Sequence, residues 1–173
     1  MYLKLNYKIL NKMIKIIQAE SIHSKMILDW KNDIDSRKNS LDSKIILFES
    51  HDKWYNNYLK KNPFQLLIGT LGDDFIGMVR FDNIYDKTSY NVSINLNPLF
   101  RGKKLSATFL KKAIDFFTSR IDCESMYADI KPTNIASIKC FEKNKFVIFQ
   151  NPMHSGSDYY KYLLDLKNSI HHQ

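Results

Sequence analysis

Apolar residues return at every second position in some stretches of this chain and at every third or fourth in others. Gly, Pro, Asn and Asp punctuate the changes of rhythm. The pattern predicts a first strand over 14–19, then a helix over 22–33 with Met26, Ile27 and Trp30 on one side. A polar loop carrying Arg37 and Ser40 follows, as far as Leu41. Trp54, Tyr55 and Tyr58 recur at helical spacing in a second helix over 49–61, which Pro63 stops. Strands over 65–70 and 75–82 flank Leu71-Gly72-Asp73-Asp74, and Gly-Asp between two apolar runs is a hairpin signal. Asp86-Lys87-Thr88 turns the chain into a strand over 89–96. Tyr90, Val92, Ile94 and Leu96 share one face of it, and Asn91, Ser93 and Asn95 share the other.

Asn97-Pro98 breaks that strand, and the loop 99–106 leads into a helix over 105–119. Leu110, Ala113, Ile114, Phe117 and Ile121 form its apolar stripe, while Lys111, Lys112 and Asp115 point outward. A strand over 125–130, a helix that Asn134 can cap, and strands over 146–150 and 159–166 complete the order β-α-α-β-β-β-α-β-α-β-β. No repeat or linker interrupts it, so one domain is expected over 13–167, with 1–12 as an N-terminal extension and 168–173 as a frayed tail. Met13 stands beside the first strand, where translation could equally begin.

Composition narrows the class only a little. Hydrophobic residues make up 44% of the 173, as in an ordinary globular protein. The net charge of +8 comes from Lys residues spread through the chain among much Asn and Ile. No basic-aromatic cluster stands apart from that background, so no nucleic-acid partner is expected. Cys123 and Cys140 are expected in the core and suit a reducing cytoplasm. The five His show no metal-ligand spacing, so no metal is expected. Lys4, Lys8, Lys12 and Lys15 interrupt the apolar N-terminus, so neither a signal peptide nor a membrane span is expected.

A strand, a basic glycine-containing turn and a helix N-terminus make a ready anion site, although an ordinary loop has the same spacing. The order of residues says more. Asn97-Pro98-x-x-Arg101-Gly102-Lys103-x-Leu105-Ser106 resembles the pyrophosphate-binding signature of the GNAT N-acetyltransferases. Asn134-Ile135-Ala136-Ser137-Ile138-x-x-Phe141-Glu142-Lys143-x-x-Phe146 resembles the helix that follows it in that family. The resemblance implies a single α/β (α+β) domain with a mixed, mostly antiparallel sheet, splayed between strands 4 and 5, and helices on both faces. Acetyl-CoA would lie in the split. Its implied contacts are the backbone at Leu96 and Asn97, the turn Arg101, Gly102, Lys103, Lys104, Leu105 and Ser106, and Asn134, Ser137, Phe141 and Lys143 from the later helix.

Two positions depart from that pattern. Lys104 and Ser106 replace glycines, and a positive φ at Lys104 would cost about 1 kcal/mol. Phe141 stands where many members carry a Tyr that protonates the departing thiolate, so the thiolate leaves unaided or Tyr159 or Tyr160 supplies the proton.

Acetyl transfer to an amine also needs a base, for which Asp129, His51 and Asp82 are the candidates. Asp29-Trp30-Lys31-Asn32-Asp33, Arg37, Ser40 and His51-x-x-Trp54 resemble the bacterial nonulosonate and amino-sugar acetyltransferases, with Lys31 where Arg is usual. That implies an acceptor pocket of Trp30, Asn32, Arg37, Trp54 and Arg80, and a nucleotide-linked deoxy sugar acetylated at its 4-amino group. Core packing is the competing role for the two tryptophans. A protein N-terminal acetyltransferase and a non-catalytic acyl-CoA-binding module remain alternatives, acting as a monomer or homodimer.

Overall fold

The computed structural model describes residues 13–84, 86–155 and 157–167. Seven strands form one sheet: β1 (Ile14–Gln18), β2 (Leu66–Leu71), β3 (Asp74–Asn83), β4 (Ser89–Leu96), β5 (Ser125–Ile130), β6 (Val147–Gln150) and β7 (Tyr160–Asp165). The helices are α1 (Ser24–Asn32), α2 (Ile34–Asn39), α3 (Phe48–Lys61), α4 (Ser106–Thr118), α5 (Ile135–Lys143) and the single turn α6 (Pro152–Ser155). Strand order is β1-β2-β3-β4-β5-β7-β6. Every pairing is antiparallel except β4 with β5.

That parallel junction sets the shape. β4 and β5 pair only from Ser89–Ser125 to Asn91–Tyr127. Beyond there β4 follows β3 as far as Leu96, opposite Gly77, and β5 follows β7 as far as Ile130, opposite Tyr160. The sheet therefore opens between its fourth and fifth strands, as expected.

Two apolar layers hold the halves of the split. On one face Phe109, Ala113 and Phe117 of α4 pack with Tyr90 and Val92 of β4 and with Phe141 of α5. Phe117 stacks on Phe81 at 4.1 Å between ring centroids and meets the edge of Tyr90 at 4.9 Å. Gly69 lets α4 sit this close, because a Cβ there would lie 2.5 Å from the Phe109 ring. On the other face Ile27 and Trp30 of α1 and Tyr55 of α3 pack on Leu66, Ile68 and Met78. These buried faces carry the helical and alternating patterns read from the sequence.

Two short helices depart from expectation, the smaller being α6, a single turn between β6 and β7. Residues 34–39, expected as loop, form α2, none of whose residues is buried. Without an apolar stripe it leaves no helical period in the sequence; what starts it is a cap. The Asp33 carboxylate accepts the N–H groups of Asp35 and Ser36 at 3.1 and 3.3 Å. Among the described residues no helix is long and apolar enough to cross a membrane.

Candidate functional site

The opening between β4 and β5 is a cleft of about 660 Å³. Its walls come from the polar face of β4, the end of β5, the turn after β4, the start of α5, and α1 and α2. A turn of the anion-binding type stands at one end. Gly102 and Lys104 both take positive φ, at +73° and +57°, in the turn that ends at the N-terminus of α4. Such a turn directs N–H groups to a common side, and the free N–H groups and dipole of the helix reinforce it. Lys104 therefore adopts the left-handed conformation expected of the glycine it replaces, at a cost of about 1 kcal/mol. Ser106 turns its hydroxyl to the Cys140 thiol, whose pKa burial pushes up to about 11.

The backbone at the end of β4 supplies a second feature. The Asn97 N–H donates to the Ile76 carbonyl at 2.9 Å. Antiparallel alternation then points the Leu96 N–H away from β3, toward the side from which β5 has parted. Leu96 thus offers a donor to the cleft. Asn97 does not: its amide donates to the Phe75 carbonyl at 2.8 Å, and its side-chain oxygen accepts the Leu99 N–H at 3.0 Å. The expectation of a cofactor-facing N–H at Asn97 is corrected, because β3 already holds that group.

Asn134 and Ser137 line the cleft, and the Asn134 oxygen caps α5 by accepting the Ser137 N–H at 3.1 Å. Phe141 lines it too, buried and edge-on to Phe146 at 4.9 Å, with no proton to give. Tyr159 and Tyr160 are not among the cleft-lining residues, and Tyr160 instead packs on the core beside Tyr162. Leu105 is buried and supports the turn from beneath, while Lys103 lies over the Phe100 ring at 4.4 Å. Lys143 is exposed at the far end of α5 and does not line the cleft. The Arg101 guanidinium faces the cleft but turns toward α2, ion-paired with Asp33 and donating to Ser36 Oγ at 2.8 Å.

The candidate bases separate sharply. Asp129 lines the cleft just beyond the last β4–β5 pair. Its Oδ1 is buried without a hydrogen bond, 3.6 Å from Lys161 Nζ, and its Oδ2 lies 3.5 Å from the Asn91 amide. Asn91 Oδ1, also on the cleft wall, is likewise buried and unbonded. His51 does not line the cleft. It is buried at the α1–α3 contact, with Nε2 3.0 Å from the Ser24 carbonyl and its ring stacked on Tyr55 at 5.5 Å. Burial lowers its pKa. Asp82 is held by Arg80 at 2.8 Å and the Tyr58 hydroxyl at 2.9 Å, outside the cleft lining.

The expected acceptor residues are part wall and part scaffold. Arg37 and Arg80 line the cleft. Arg37 also donates to the carbonyls of Lys31, Lys44 and Asp42 at 2.6, 2.9 and 3.2 Å, folding the segment after α2 around itself. Asn32 pins the same segment through both bonds to the Ile46 backbone, at 2.8 and 2.9 Å. Trp30 sits in the second core, buried, so for this residue the packing role holds. Trp54 is half-buried and stands between two cations, with Lys31 Nζ 5.0 Å and the Arg80 guanidinium 5.2 Å from its ring.

Lys31 joins the site although no periodicity marked it; the only signal was its place in the amino-sugar-like motif. Burial, then the neighbouring Arg80 and Arg37 charges, lower its pKa to about 8, and Asp82 opposes them. A second hollow of about 510 Å³ adjoins the first, and Lys31, Arg37 and Ser40 line both.

A sheet split between its fourth and fifth strands, with an anion-type turn at one end of the opening and a carboxylate where the strands part, is the arrangement expected of an acyl-CoA-dependent transferase. The sequence profile of the Acetyltransferase (GNAT) family matches residues 25–146, so the chain belongs to that family and is an acyltransferase. No curated protein matches the chain. Among solved structures it is similar to the spermidine N-acetyltransferase from Vibrio cholerae in complex with CoA and spermine. That match has a TM-score of 0.78 and 16% identity, and covers 92% of this chain and 99% of the other. It is also similar to the putative acetyltransferase yncA from Salmonella typhimurium with acetyl-CoA, with a TM-score of 0.69 and 18% identity over 89% and 94% of the two chains. A third likeness is to an aminoglycoside acetyltransferase in complex with coenzyme A, with a TM-score of 0.73 and 13% identity over 92% and 98%. At these identities the likeness is one of fold.

Proposed function

We propose that the chain moves the acetyl group of acetyl-CoA to a primary amine, and that the amine is the 4-amino group of a nucleotide-linked deoxy sugar. The observation that carries the amine is a pair of buried acceptors without a hydrogen bond, Asn91 Oδ1 and Asp129 Oδ1, where the strands part, the second facing the Lys161 ammonium at 3.6 Å. Buried polar atoms rarely stay unpaired, and an ammonium group placed between these two would satisfy both. Asp129 then takes its proton. The amine nitrogen attacks the thioester carbon, and the C–N bond forms while the oxygen develops charge toward the Leu96 N–H. The C–S bond breaks, the electron pair leaves on sulfur, and the nitrogen gives up its second proton to water in the open cleft, leaving a neutral amide. With Phe141 at the usual phenol position, the thiolate departs unprotonated, as its low basicity permits.

The cofactor's diphosphate suits the turn around Gly102 and Lys104 at the N-terminus of α4. The CoA and acetyl-CoA complexes that share this fold support that donor.

Charge separates the acceptor from the polyamine named with the Vibrio cholerae protein. Lys31 and Arg37 line both hollows and Arg80 lines the first, with Asp82 as the carboxylate paired to Arg80. Cations gathered there repel a polyamine and favour a diphosphate. The test is thiol release from acetyl-CoA against a UDP-linked 4-amino-4,6-dideoxy sugar, spermidine, kanamycin and an N-terminal peptide. Fastest release with the nucleotide-linked sugar is expected. Preference for spermidine or kanamycin overturns the acceptor. Preference for the peptide makes the chain a protein N-terminal acetyltransferase, and no turnover despite CoA binding makes it a binding module.

A further inference from the structure

Arg101 occupies the first position of the donor turn, yet its guanidinium is already engaged. It is ion-paired with Asp33, lies 3.5 Å from Asp35 Oδ2, and donates to Ser36 Oγ at 2.8 Å. Two carboxylates and a hydroxyl oppose its charge, and all three belong to the cap and first turn of α2. The nitrogen that donates to Ser36, Nη2, also reaches the Leu96 carbonyl at 3.5 Å. Ser36 carries the contact onward, donating to the Trp30 carbonyl at 2.6 Å, while the Asn95 amide lies 3.3 Å from both Ser36 Oγ and the Trp30 carbonyl. One cluster therefore joins the donor turn, the end of α1, the start of α2 and the cleft strand β4. The ion pair is also shielded, with side-chain exposures of 27% and 24% for Arg101 and Asp33.

We propose that Arg101 is a positioning residue and not a phosphate ligand: held by Asp33 and Ser36, it clasps the donor turn to the acceptor wall, so that the two substrates strengthen each other's binding. The inference rests on the donor turn holding CoA. Its backbone serves the cofactor, and its side chain reports the placement of α1 and α2, whose Lys31 and Arg37 line the acceptor side. Coupling of this kind is reciprocal: an acceptor that seats α2 seats the turn, and the cofactor does the reverse.

Asp33→Asn is the discriminating variant, because an Asn oxygen can still cap α2 while the charge facing Arg101 is lost. CoA affinity is measured by calorimetry for the wild type, Asp33→Asn, Arg101→Met and the double variant. A clasp broken from either side fails alike, so each single variant weakens CoA by roughly 2–10-fold and the double variant weakens it no further. Arg101→Lys, which keeps a charge for Asp33, recovers part of the loss. A phosphate ligand behaves otherwise. Asp33→Asn would then release Arg101 to the phosphate and tighten CoA, while Arg101→Met weakens it. Opposite signs, or losses that multiply in the double variant, overturn the proposal.

The second readout is the ratio of CoA affinities with and without a saturating UDP-linked 4-amino-4,6-dideoxy sugar. It is expected to be about 5-fold in the wild type and to fall toward one in either single variant. A ratio of one in the wild type overturns the coupling. If the wild type binds no CoA, the donor assignment falls and the clasp with it; if it binds CoA and transfers acetyl groups without coupling, the clasp alone falls.

Discussion

The two sides of the cleft are built on different terms. On the side proposed for the donor the groups on offer are backbone: the turn at Gly102 and Lys104, the first N–H groups of α4, and the N–H of Leu96. They come from neighbouring positions of one strand–turn–helix, and no side chain has to be brought from afar. On the acceptor side the groups are side chains from α1, α2, β3, β4 and β5, many of them also bearing the fold. Arg37 holds the segment after α2 while facing the cleft, and Asn32 and His51 serve only as scaffold in the contacts they make. A backbone site tolerates varied side chains, as Lys104 and Ser106 show. A side-chain site ties specificity to the packing of distant elements.

The contrast breaks most visibly at Asp129. Asp129→Asn is expected to lower turnover by roughly 10²–10⁴-fold, read as kcat with the nucleotide-linked amino sugar across pH. Near-normal turnover would leave the acceptor side without its base.

On the donor side Gly102→Val forces a β-branched residue into φ +73°, where a Cβ meets no neighbour within 4 Å. Strain alone, of about 1–2 kcal/mol, therefore predicts CoA binding weakened by about tenfold, measured by calorimetry. No loss there would mean that the turn does not hold the cofactor by its backbone.

Lys31→Met sharpens the acceptor side. The KM for the nucleotide-linked sugar should rise about tenfold at pH 7. In the wild type that KM should also climb as pH passes about 8, where Lys31 discharges. The sign for stability is separate. The folded-state pKa lies below the ordinary 10.5, so between about 8 and 10.5 the unfolded chain binds more protons. Stability from this group therefore rises with pH across that window, and Lys31→Met should flatten the slope in urea titrations.

The smallest effect belongs to the scaffold. Burial lowers the pKa of His51 and of His23, so each is held neutral in the folded chain. The unfolded chain takes up more protons as pH falls through 6.5, and stability declines there. His51→Gln should remove part of that decline and cost about 1 kcal/mol at pH 7 through the altered bond to the Ser24 carbonyl, read from urea midpoints at the two pH values. Turnover lost with stability intact would return His51 to the list of bases.

What could be read in advance follows the same division. Strand β4 and the amphipathic helix α4 were legible because their burial repeats at the period of the element, and local chain geometry alone creates that period. The donor turn was legible because its chemistry resides in consecutive residues, down to the positive φ at Lys104. Helix α2 was not, since a cap and a cross-chain ion pair replace the apolar stripe that would have announced it. His51 and Asp82 were as plausible as Asp129 on residue type. Only the fold buries the first against Ser24, occupies the second with Arg80 and Tyr58, and leaves the third on the cleft wall with an oxygen that accepts no hydrogen bond.

By itself the sequence determined the strands, the amphipathic helices, their order and the glycine-containing turn, because each depends on residues a few positions apart. The tertiary structure alone decided which N–H faces the cleft, which carboxylate remains available and which cations gather beside Trp54. Those outcomes depend on strand register and helix packing between residues far apart in the chain, and no local pattern encodes the meeting of Lys31, Arg80 and Asp129 in one cleft.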